Sequence, residues 1–405
     1  MSTSLNRPFT DRHTSTMPPC EATVEWLTID CGELPASAEV ARFRTASGVM
    51  ECHVTVRLDG EGGAAEQAEC LLDAYQLALD TVGIDVSSAI FRRMFCSDVV
   101  NQSGLFGSSA CATSWVCQPP LPASKFSLWA YHLCSPEGAV ETTRDGATTS
   151  YRRGGLTHHW TTGMIEANES SSLEQTRRVL ENYGAWLHSR HMNLADHVVR
   201  TWWFVQNIDA DYQGLVDARR DFFESHGLTS DTHYIASTGI AGAHPEVAAK
   251  VSLDSYAIGG LHPDQLEFLG APDHLCPTNH YGVTFERATA VSYSDRRHVF
   301  ISGTASIDSE GRILHPGDVI GQLDRTLENI EALLEKAGAN LGDLAAILVY
   351  LRDPADGAVI EASLLEKLGA VPFILVNAPV CRPGWLIEIE GIAVIPAHLP
   401  EVPEY

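Results

Sequence analysis

The chain has 405 residues, of which 52 are acidic and 27 are basic, so its formal net charge is −25. A surface with this charge repels phosphate backbones and anionic lipid headgroups, which disfavours nucleic acids and membranes as partners. No stretch approaches the ~20 apolar residues of a membrane-spanning helix, and the length fits two or three domains of about 100–200 residues each.

Residues 1–20 are polar and lack the apolar stretch of a signal peptide, so we interpret them as a disordered leader. The ten cysteines include no CxxC pair and no zinc-type Cys/His spacing. This predicts reduced thiols of a cytoplasmic protein and no bound metal. The glycines form neither of the common nucleotide-binding motifs, and we therefore expect no cofactor.

Three segments of the chain share one helical pattern. Each carries Gln at its second position, followed by apolar residues at i, i+3, i+4 and i+7, which is typical of an amphipathic helix. The segments are 66–83, 174–191 and 321–338, and the shared residues are Gln67, Gln175 and Gln322. The matched pattern indicates an internal repeat.

A β-branched and aromatic run follows each helix at nearly the same distance, and each unit closes on a second strand-like run. The first runs are 90–98, 197–207 and 345–353, and the closing runs are 125–133, 250–258 and 385–394. A second helix is predicted between the two runs at 214–227 and at 358–369. The corresponding stretch of the first unit, 99–122, is rich in Ser, Gly and Pro and is expected to be irregular.

We therefore predict an α+β fold of tandem units, in which a mixed β-sheet packs on two helices per unit. The units are expected at 21–135, 150–258 and 281–396, and the first two are degenerate. The segments 134–150 and 259–280 are interpreted as linkers. Any α+β chain contains amphipathic helices followed by strands, but the shared Gln and the matched spacing favour a repeat.

The C-terminal unit carries the segments SGTASIDSEGRILHPGD (302–318), VYLRDPAD (349–356) and APVCRPGWLIEIEGIAV (378–394). These segments resemble the Rid (YjgF/UK114) superfamily. The resemblance implies Rid-like, chorismate-mutase-like units, whose relatives are trimers with ligand clefts between neighbouring subunits. Three such units in one chain would form an intramolecular pseudo-trimer, with sites at the seams between units.

Two classes of this superfamily bear on function. Imine and enamine deaminases place a glutamate on the closing strand, which Glu388 matches, and an arginine on the preceding strand, where this chain has an apolar residue near Phe373. Chorismatases resemble tandem Rid-like folds and carry a CR…L.EIEG signature, which Cys381, Arg382 and Glu388 match. The chain departs from chorismatases at 308–318, where they carry a histidine-containing motif. The resemblance therefore implies kinship with the chorismatase branch.

The catalytic candidates are Glu388 and Cys381. Glu388 and Glu390 lie two apart on a predicted strand and so point the same way. At a seam, burial would raise the pKa of Glu388 toward that of a working acid or base, whereas a solvated sheet face is the alternative. Arg382 would either lower the pKa of the adjacent Cys381 thiol or hold a substrate carboxylate. A buried inert thiol is the alternative for Cys381.

Substrate-binding candidates also lie outside this strand. Tyr151, Arg152, Arg153 and His159 form a polar and aromatic patch that would clamp an anion over the cleft of a neighbouring unit, or else a surface loop. Arg352 ends a predicted strand, where it is either a second carboxylate anchor or an edge-strand charge. No metal is expected at the histidines, because no third ligand lies at suitable spacing.

Gly303 and Thr304 of the SGT turn are included among the substrate-binding candidates. Arg219 and Arg220 lie on a predicted helix with several acidic residues, and we interpret both as salt-bridged surface residues.

These observations predict a hydrolase or lyase that uses general acid/base chemistry on a small carboxylate metabolite with an enol-ether, enamine or imine bond. The resemblance makes a chorismate-like compound the first substrate and a 2-imino acid the second. A non-catalytic module that binds a ligand or a partner is the competing interpretation. The chain is expected to be a monomer with an internal pseudo-trimer, or a higher oligomer, with neither nucleic acid nor membrane as a partner.

Overall fold

The computed structural model describes residues 24–45, 47–60 and 62–405, so the predicted leader lies outside the described residues. The described chain forms three mixed β-sheets, one per predicted unit. None of the helices in this part of the chain is both long and apolar enough to cross a membrane.

The first sheet packs on one long helix. Its elements in chain order are β1 (Val24–Ile29), β2 (Ala36–Arg44), β3 (Met50–Leu58), α1 (Ala64–Val82), β4 (Ala89–Cys96), α2 (Val99–Gln102), β5 (Ala112–Cys117), β6 (Phe126–Ser135) and β7 (Gly138–Ala139). The α2 helix has only four residues. The stretch 99–122, which was expected to be irregular, therefore lacks a full second helix in the described residues, but it does contain the edge strand β5.

The second sheet packs on two long helices. Its elements are β8 (Thr142–Asp145), β9 (Thr148–Arg153), β10 (Leu156–Met164), α3 (Ser172–His188), α4 (Leu194–His197), β11 (Val198–Val205), α5 (Ile208–Ser225), β12 (Ala236–Ala241) and β13 (Val251–Gly259). The side chain of Ser171 accepts a hydrogen bond from the backbone N–H of Glu174, which caps the start of α3.

The third sheet also packs on two helices. Its elements are β14 (Leu266–Leu269), β15 (Ala288–Ser292), β16 (Arg296–Ala305), α6 (Val319–Lys336), β17 (Leu344–Leu351), α7 (Gly357–Leu368), β18 (Phe373–Asn377) and β19 (Ile387–Pro396). The side chain of Asp318 caps the N-terminus of α6. Buried apolar residues of both faces make β17 a fully buried strand.

All three sheets have the same strand order, which confirms the α+β fold of tandem units. The orders are β1-β2-β3-β6-β4-β5, β8-β9-β10-β13-β11-β12 and β14-β15-β16-β19-β17-β18. In each unit the closing strand pairs antiparallel with both of its neighbours, and the last two strands of the order are parallel. The closing strands β6, β13 and β19 thus occupy the centre of their sheets.

The two segments expected to be linkers contain strands, so that expectation is wrong. The segment 134–150 contains β7 and β8, and 259–280 contains β14. All three lie at the sheet margins, where each pairs with a single neighbouring strand. Short edge strands are often polar and need not alternate, so their Gly and Thr content resembles that of a loop.

The repeated glutamine is a structural tie in each unit. It is the fourth residue of the long helix and is buried in all three. Its side-chain oxygen accepts a hydrogen bond from the backbone nitrogen at or just before the closing strand, at 2.8, 2.7 and 2.8 Å for the pairs Gln67–Lys125, Gln175–Lys250 and Gln322–Leu386. A buried amide with these partners joins the helix to the sheet.

The units meet through their equivalent edge strands β5, β12 and β18. Backbone bridges connect each unit to the next at Cys117–Ala243, Ile240–Val380 and Pro120–Val376. Inside this ring, aromatic side chains from the first two units pack together, with centroid distances of 5.1 Å for Phe91–Trp129 and 4.9 Å for Phe91–Trp160. One face of each sheet is therefore covered by the other units.

Candidate functional site

A narrow cavity of about 30 Å³, which opens to solvent, lies at the seam between the second and third units. Helix α5 and strand β12 line one side, and β16, β19 and the turn before β19 line the other. Its polar lining is formed by Tyr212, Arg219, Ser237, Thr238, Arg287, Cys381, Arg382 and Glu388. The cavity is thus built from two units of a single chain.

Glu388 stands on β19 and is only 5 % exposed. It lies between Tyr350 on β17 and Ala305 on β16, so two neighbouring strands fix its backbone. Burial, and next the negative charge of Glu390, raise its pKa to about 8, while Arg200 and Arg287 act in the opposite direction. A carboxyl group with this pKa is largely protonated at neutral pH and can donate a proton.

Gly303 provides the space that Glu388 occupies. It lies in an irregularity of β16 between Ile301 and Thr304, where the register with β19 shifts. A side chain at this position would collide with the Glu388 carboxyl group. Thr304, the other candidate of the SGT turn, is buried, donates to the Ser302 carbonyl at 2.9 Å and does not line the cavity.

Cys381 lines the cavity as a neutral thiol. Burial and the charge of Glu388 raise its pKa to about 12, and Arg382 and the Tyr212 hydroxyl offset only part of this. Arg382 does act to lower this pKa, as expected, but desolvation outweighs the adjacent guanidinium, so the net shift is upward. The guanidinium of Arg382 instead lies 5.5 Å from the centre of the Trp385 ring.

Arg219 is a cavity residue that the sequence interpretation assigned to the surface. It is 1 % exposed and donates to Thr284 Oγ1 at 3.2 Å and to Ser237 Oγ at 3.4 Å. The available signal was its position between Leu215 and Phe223, four residues to either side and both buried on α5. Arg220 does pair with an acidic neighbour on the helix surface, as predicted.

Arg287 is the other cavity arginine that the sequence interpretation missed. It is buried just before β15, donates to the Cys276 carbonyl at 2.8 Å and lies 5.4 Å from the centre of the Phe285 ring. It lies in the segment 281–288, which only loosely echoes a family motif, so the sequence did not single out this arginine.

Glu390 points to the same face as Glu388 but has a different environment. Its carboxylate accepts hydrogen bonds from Arg200 at 2.6 Å, and from Trp202 and Tyr350 at 2.9 Å each. Only 3 % of the residue is exposed. The predicted pair of glutamates therefore comprises one carboxylate saturated with donors and one carboxyl group that faces the cavity.

The patch at the start of the second unit does not reach this cavity. Tyr151, Arg153 and His159 lie on the hairpin of β9 and β10, and Arg152 is exposed. Tyr151 and Arg153 bind Tyr405, through its hydroxyl at 2.7 Å and its carbonyl at 2.9 Å. Nearness in sequence to other polar residues did not distinguish a packing contact from a ligand contact.

Arg352 also stays outside the cavity. It forms an ion pair with Asp209 at 2.7 Å and donates to the Val380 carbonyl at 3.0 Å. These contacts connect the start of α5 to the residue that precedes Cys381. Arg352 therefore supports the turn that carries the cavity residues.

The two equivalent seams lack a carboxyl group at this position. The strand registers place Ser127 and Ser252 where β19 has Glu388. At the seam between the third and first units, Arg57 lies opposite Ser127, 3.9 Å from the centre of the Phe373 ring, and pairs with Glu39 at 2.6 Å. Side chains of the chain itself fill this seam.

The comparisons agree with this architecture. Residues 286–395 match the family model described as Endoribonuclease L-PSP. A RutC family protein of Pyrococcus abyssi is 38% identical over 97 residues, covering 24% of this chain and 76% of that protein. Another, of Pyrococcus horikoshii, is 38% identical over 97 residues, covering 24% and 77%.

A crystal structure of a chorismatase shares the fold over most of the chain. It aligns with 76% of this chain and 93% of its own, with a TM-score of 0.59 and 21% sequence identity. The likeness therefore extends beyond the C-terminal unit to the tandem arrangement.

Proposed function

Because the chain belongs to the Rid (YjgF) superfamily, we propose that it is a small-molecule hydrolase or lyase in which Glu388 acts as a general acid. The observation that carries this proposal is the buried carboxyl group of Glu388 in a cavity that three arginines also line. Arg219, Arg287 and Arg382 supply positive charge for a carboxylate substrate. The substrate would be a metabolite with an enol-ether, enamine or imine bond.

All three bonds are activated by one protonation. Glu388 gives its proton to the electron-rich atom of the substrate, and the resulting cation takes up water. The glutamate left as a carboxylate accepts the proton that the water loses, which gives a neutral tetrahedral adduct. Glu388 then returns this proton to the oxygen or nitrogen of the leaving group as the C–O or C–N bond breaks. The adduct's hydroxyl proton passes back to Glu388, which leaves a carbonyl product and an alcohol or ammonia and restores the starting state. Cys381 and Tyr212 line the same cavity as neutral donors and would orient the substrate or the water.

The first substrate we propose is a chorismate-like enol ether, because residues 378–391 resemble the chorismatase signature. A 2-imino acid is the second. Deaminases place an arginine on the strand before the closing one, where this chain has Phe373. The 2-imino acid is still proposed as an alternative, because Arg287, just before β15, brings a guanidinium group to the cavity.

We also propose that a single chain is sufficient for activity, as an intramolecular pseudo-trimer. The cavity is lined by residues of two units of the same chain, so no second copy is needed to complete it. Light scattering combined with activity at low protein concentration tests this. Activity that disappears on dilution together with an oligomer would contradict it.

The test of the function is a screen of the purified protein against chorismate and against freshly generated 2-imino acids, with products identified by NMR. The Glu388→Gln variant should lose about 10²–10⁴-fold in rate while remaining folded. Glu331→Gln, at an exposed position of α6, is the matched control and should retain full activity. Full activity of Glu388→Gln would place the site elsewhere. Ligand binding by calorimetry without turnover would favour the non-catalytic interpretation.

A further inference from the structure

Glu390 is the point at which all three units contact one carboxylate. Arg93 of the first unit forms an ion pair with it at 3.7 Å. Its hydrogen-bond donors are Arg200 and Trp202 of the second unit at 2.6 and 2.9 Å, the Thr238 hydroxyl of the second, and Tyr350 of the third at 2.9 Å. Arg93 also pairs with Asp254 at 2.9 Å. Two arginines thus face two carboxylates in the buried centre.

The Thr238 hydroxyl connects this centre to the acid site. It donates to Glu390 Oε2 and accepts from Arg200 Nη2 at 2.5 Å and from the Gly303 backbone nitrogen at 2.9 Å. One hydroxyl has one proton and two lone pairs, so these three bonds saturate it. Gly303 is the residue against which the Glu388 carboxyl lies.

We propose that Glu390, held by Arg200 and Thr238, is the positioning element of the acid: it fixes a negative charge behind Glu388, so that Glu388 keeps its proton, and it anchors the Gly303 irregularity beside it. This inference builds on the proposed role of Glu388 as a general acid. It assigns the control of that acid to Glu390 of the third unit and to Arg200 and Thr238 of the second, none of which donates a proton to the substrate.

Several charged or titratable groups surround Glu388, and they act in opposite directions. They are Glu390 on its own strand, Arg200 on β11, Tyr212 and Arg219 on α5, Arg287 before β15, and Cys381 and Arg382 on the turn. Burial raises the pKa of Glu388 most and Glu390 raises it next, while Arg200 and Arg287 lower it. Neutralising Glu390 should therefore lower this pKa, and neutralising Arg200 should raise it.

The opposite signs provide the test. The full chain is labelled with ¹³C-glutamate, the Glu388 carboxyl resonance is assigned from the Glu388→Gln spectrum, and its pH titration is followed in Glu390→Gln and Arg200→Gln. The first variant should lower the titration midpoint and the second should raise it, each by about one pH unit or more, as expected for a charge nearby. Midpoints that stay unchanged, or that both move the same way, overturn the inference.

A second pair of variants preserves both charges, so the test does not depend on the folding of Glu390→Gln. Thr238→Val should lower kcat about tenfold or more with little change in KM, because the reacting geometry is sensitive to small displacements. Thr238→Ser keeps the hydroxyl and should therefore have a kcat close to that of the wild type. Equal activity of the two Thr238 variants counts against the inference.

The titration needs no substrate, which separates the two proposals. Midpoints that move in opposite directions support the positioning role even if no tested compound is turned over, and only the proposed function then fails. Suppose instead that turnover requires Glu388 but its titration midpoint is the same in the Glu390 and Arg200 variants. The proposed function is then supported, and the positioning role of Glu390 is contradicted.

Discussion

The side-chain oxygen of Gln322 lies 2.8 Å from the backbone nitrogen of Leu386, two residues before Glu388. The amide nitrogen of the same side chain lies 3.0 Å from the Gly384 carbonyl. Gln67 and Gln175 make the corresponding contact in units whose closing strand has serine in place of Glu388. Replacing any of the three glutamines should therefore lower stability, whereas only replacement of Gln322 should also affect catalysis.

We expect Gln322→Leu to lower the free energy of unfolding by about 1–3 kcal/mol, because it leaves the partly buried backbone groups of the turn before β19 without their side-chain partner. The same variant should reduce turnover, since the turn that carries Cys381 loses its tie to α6. Gln175→Leu should be destabilised to a similar extent and keep its activity. Denaturant unfolding and kcat measured on both variants test this, and equal losses of activity would contradict it.

The rate should depend on the protonation of Glu388. Its pKa is raised to about 8, chiefly by burial, so the acid is present below this pH and lost above it. We expect kcat to be level on the acidic side and to fall as the pH rises through about 8. A pH–rate profile that rises through the same range would mean that Glu388 acts as a base.

The free energy of unfolding should also depend on the protonation of Glu388. The folded state keeps the Glu388 proton up to about pH 8, whereas the unfolded chain loses it near the ordinary value of 4.5. The folded state therefore binds more protons in this window, and its stability falls as the pH rises through it. Glu388→Gln should remove this pH dependence. At alkaline pH its free energy of unfolding should exceed that of the wild type by a few kcal/mol, because each unit of pKa difference between the folded and unfolded states corresponds to about 1.4 kcal/mol. Urea unfolding across the window measures it; a slope that persists in the variant would assign it to other groups.

Gly303→Ala should reduce turnover while the protein remains folded. A Cβ atom at Gly303 would lie 2.2 Å from Glu388 Oε1, so the carboxyl group has to move. We expect a folded protein with turnover reduced about 10²-fold, the cost of a misplacement of this size. Gly104→Ala is the matched control, because nothing lies within 4 Å of the added atom there. Retained activity of Gly303→Ala would show that the position of this carboxyl is not critical.

The protein should not bind RNA, although the matching family model is described as Endoribonuclease L-PSP. At a net charge of −25 the release of counterions that drives non-specific binding is missing. Fluorescence polarisation with a labelled single-stranded RNA at physiological salt should give no micromolar affinity. Binding that weakens steeply with added salt would contradict this expectation.

Features that depend on local periodicity were predictable from the sequence. The three helices that carry the shared glutamine follow from the spacing of their apolar residues, and the shared face of Glu388 and Glu390 follows from strand alternation. The difference between these two glutamates was not predictable. It arises from Arg200 and Trp202, which lie in another unit and donate hydrogen bonds to Glu390.

The interpretation of Arg219 failed for a related reason. Acidic neighbours on α5 suggested surface pairing, but the residue shares a buried stripe with Leu215 and Phe223. The Tyr151 patch likewise depends on Tyr405, which is 254 residues away in sequence. Contacts at such separations leave no trace in a local pattern.

The filled seam at Arg57 has a consequence for how such a protein changes over generations. In an assembly of identical chains, one codon specifies the same residue at every seam, so a substitution is repeated around the ring. Fusion removes that constraint: serine at 127 and 252 alters two seams and leaves Glu388 at the third untouched. Selection on the first two units then acts on the residues that pack at the seams rather than on catalytic residues. Their sequences can diverge from the family, while the C-terminal unit remains similar to it.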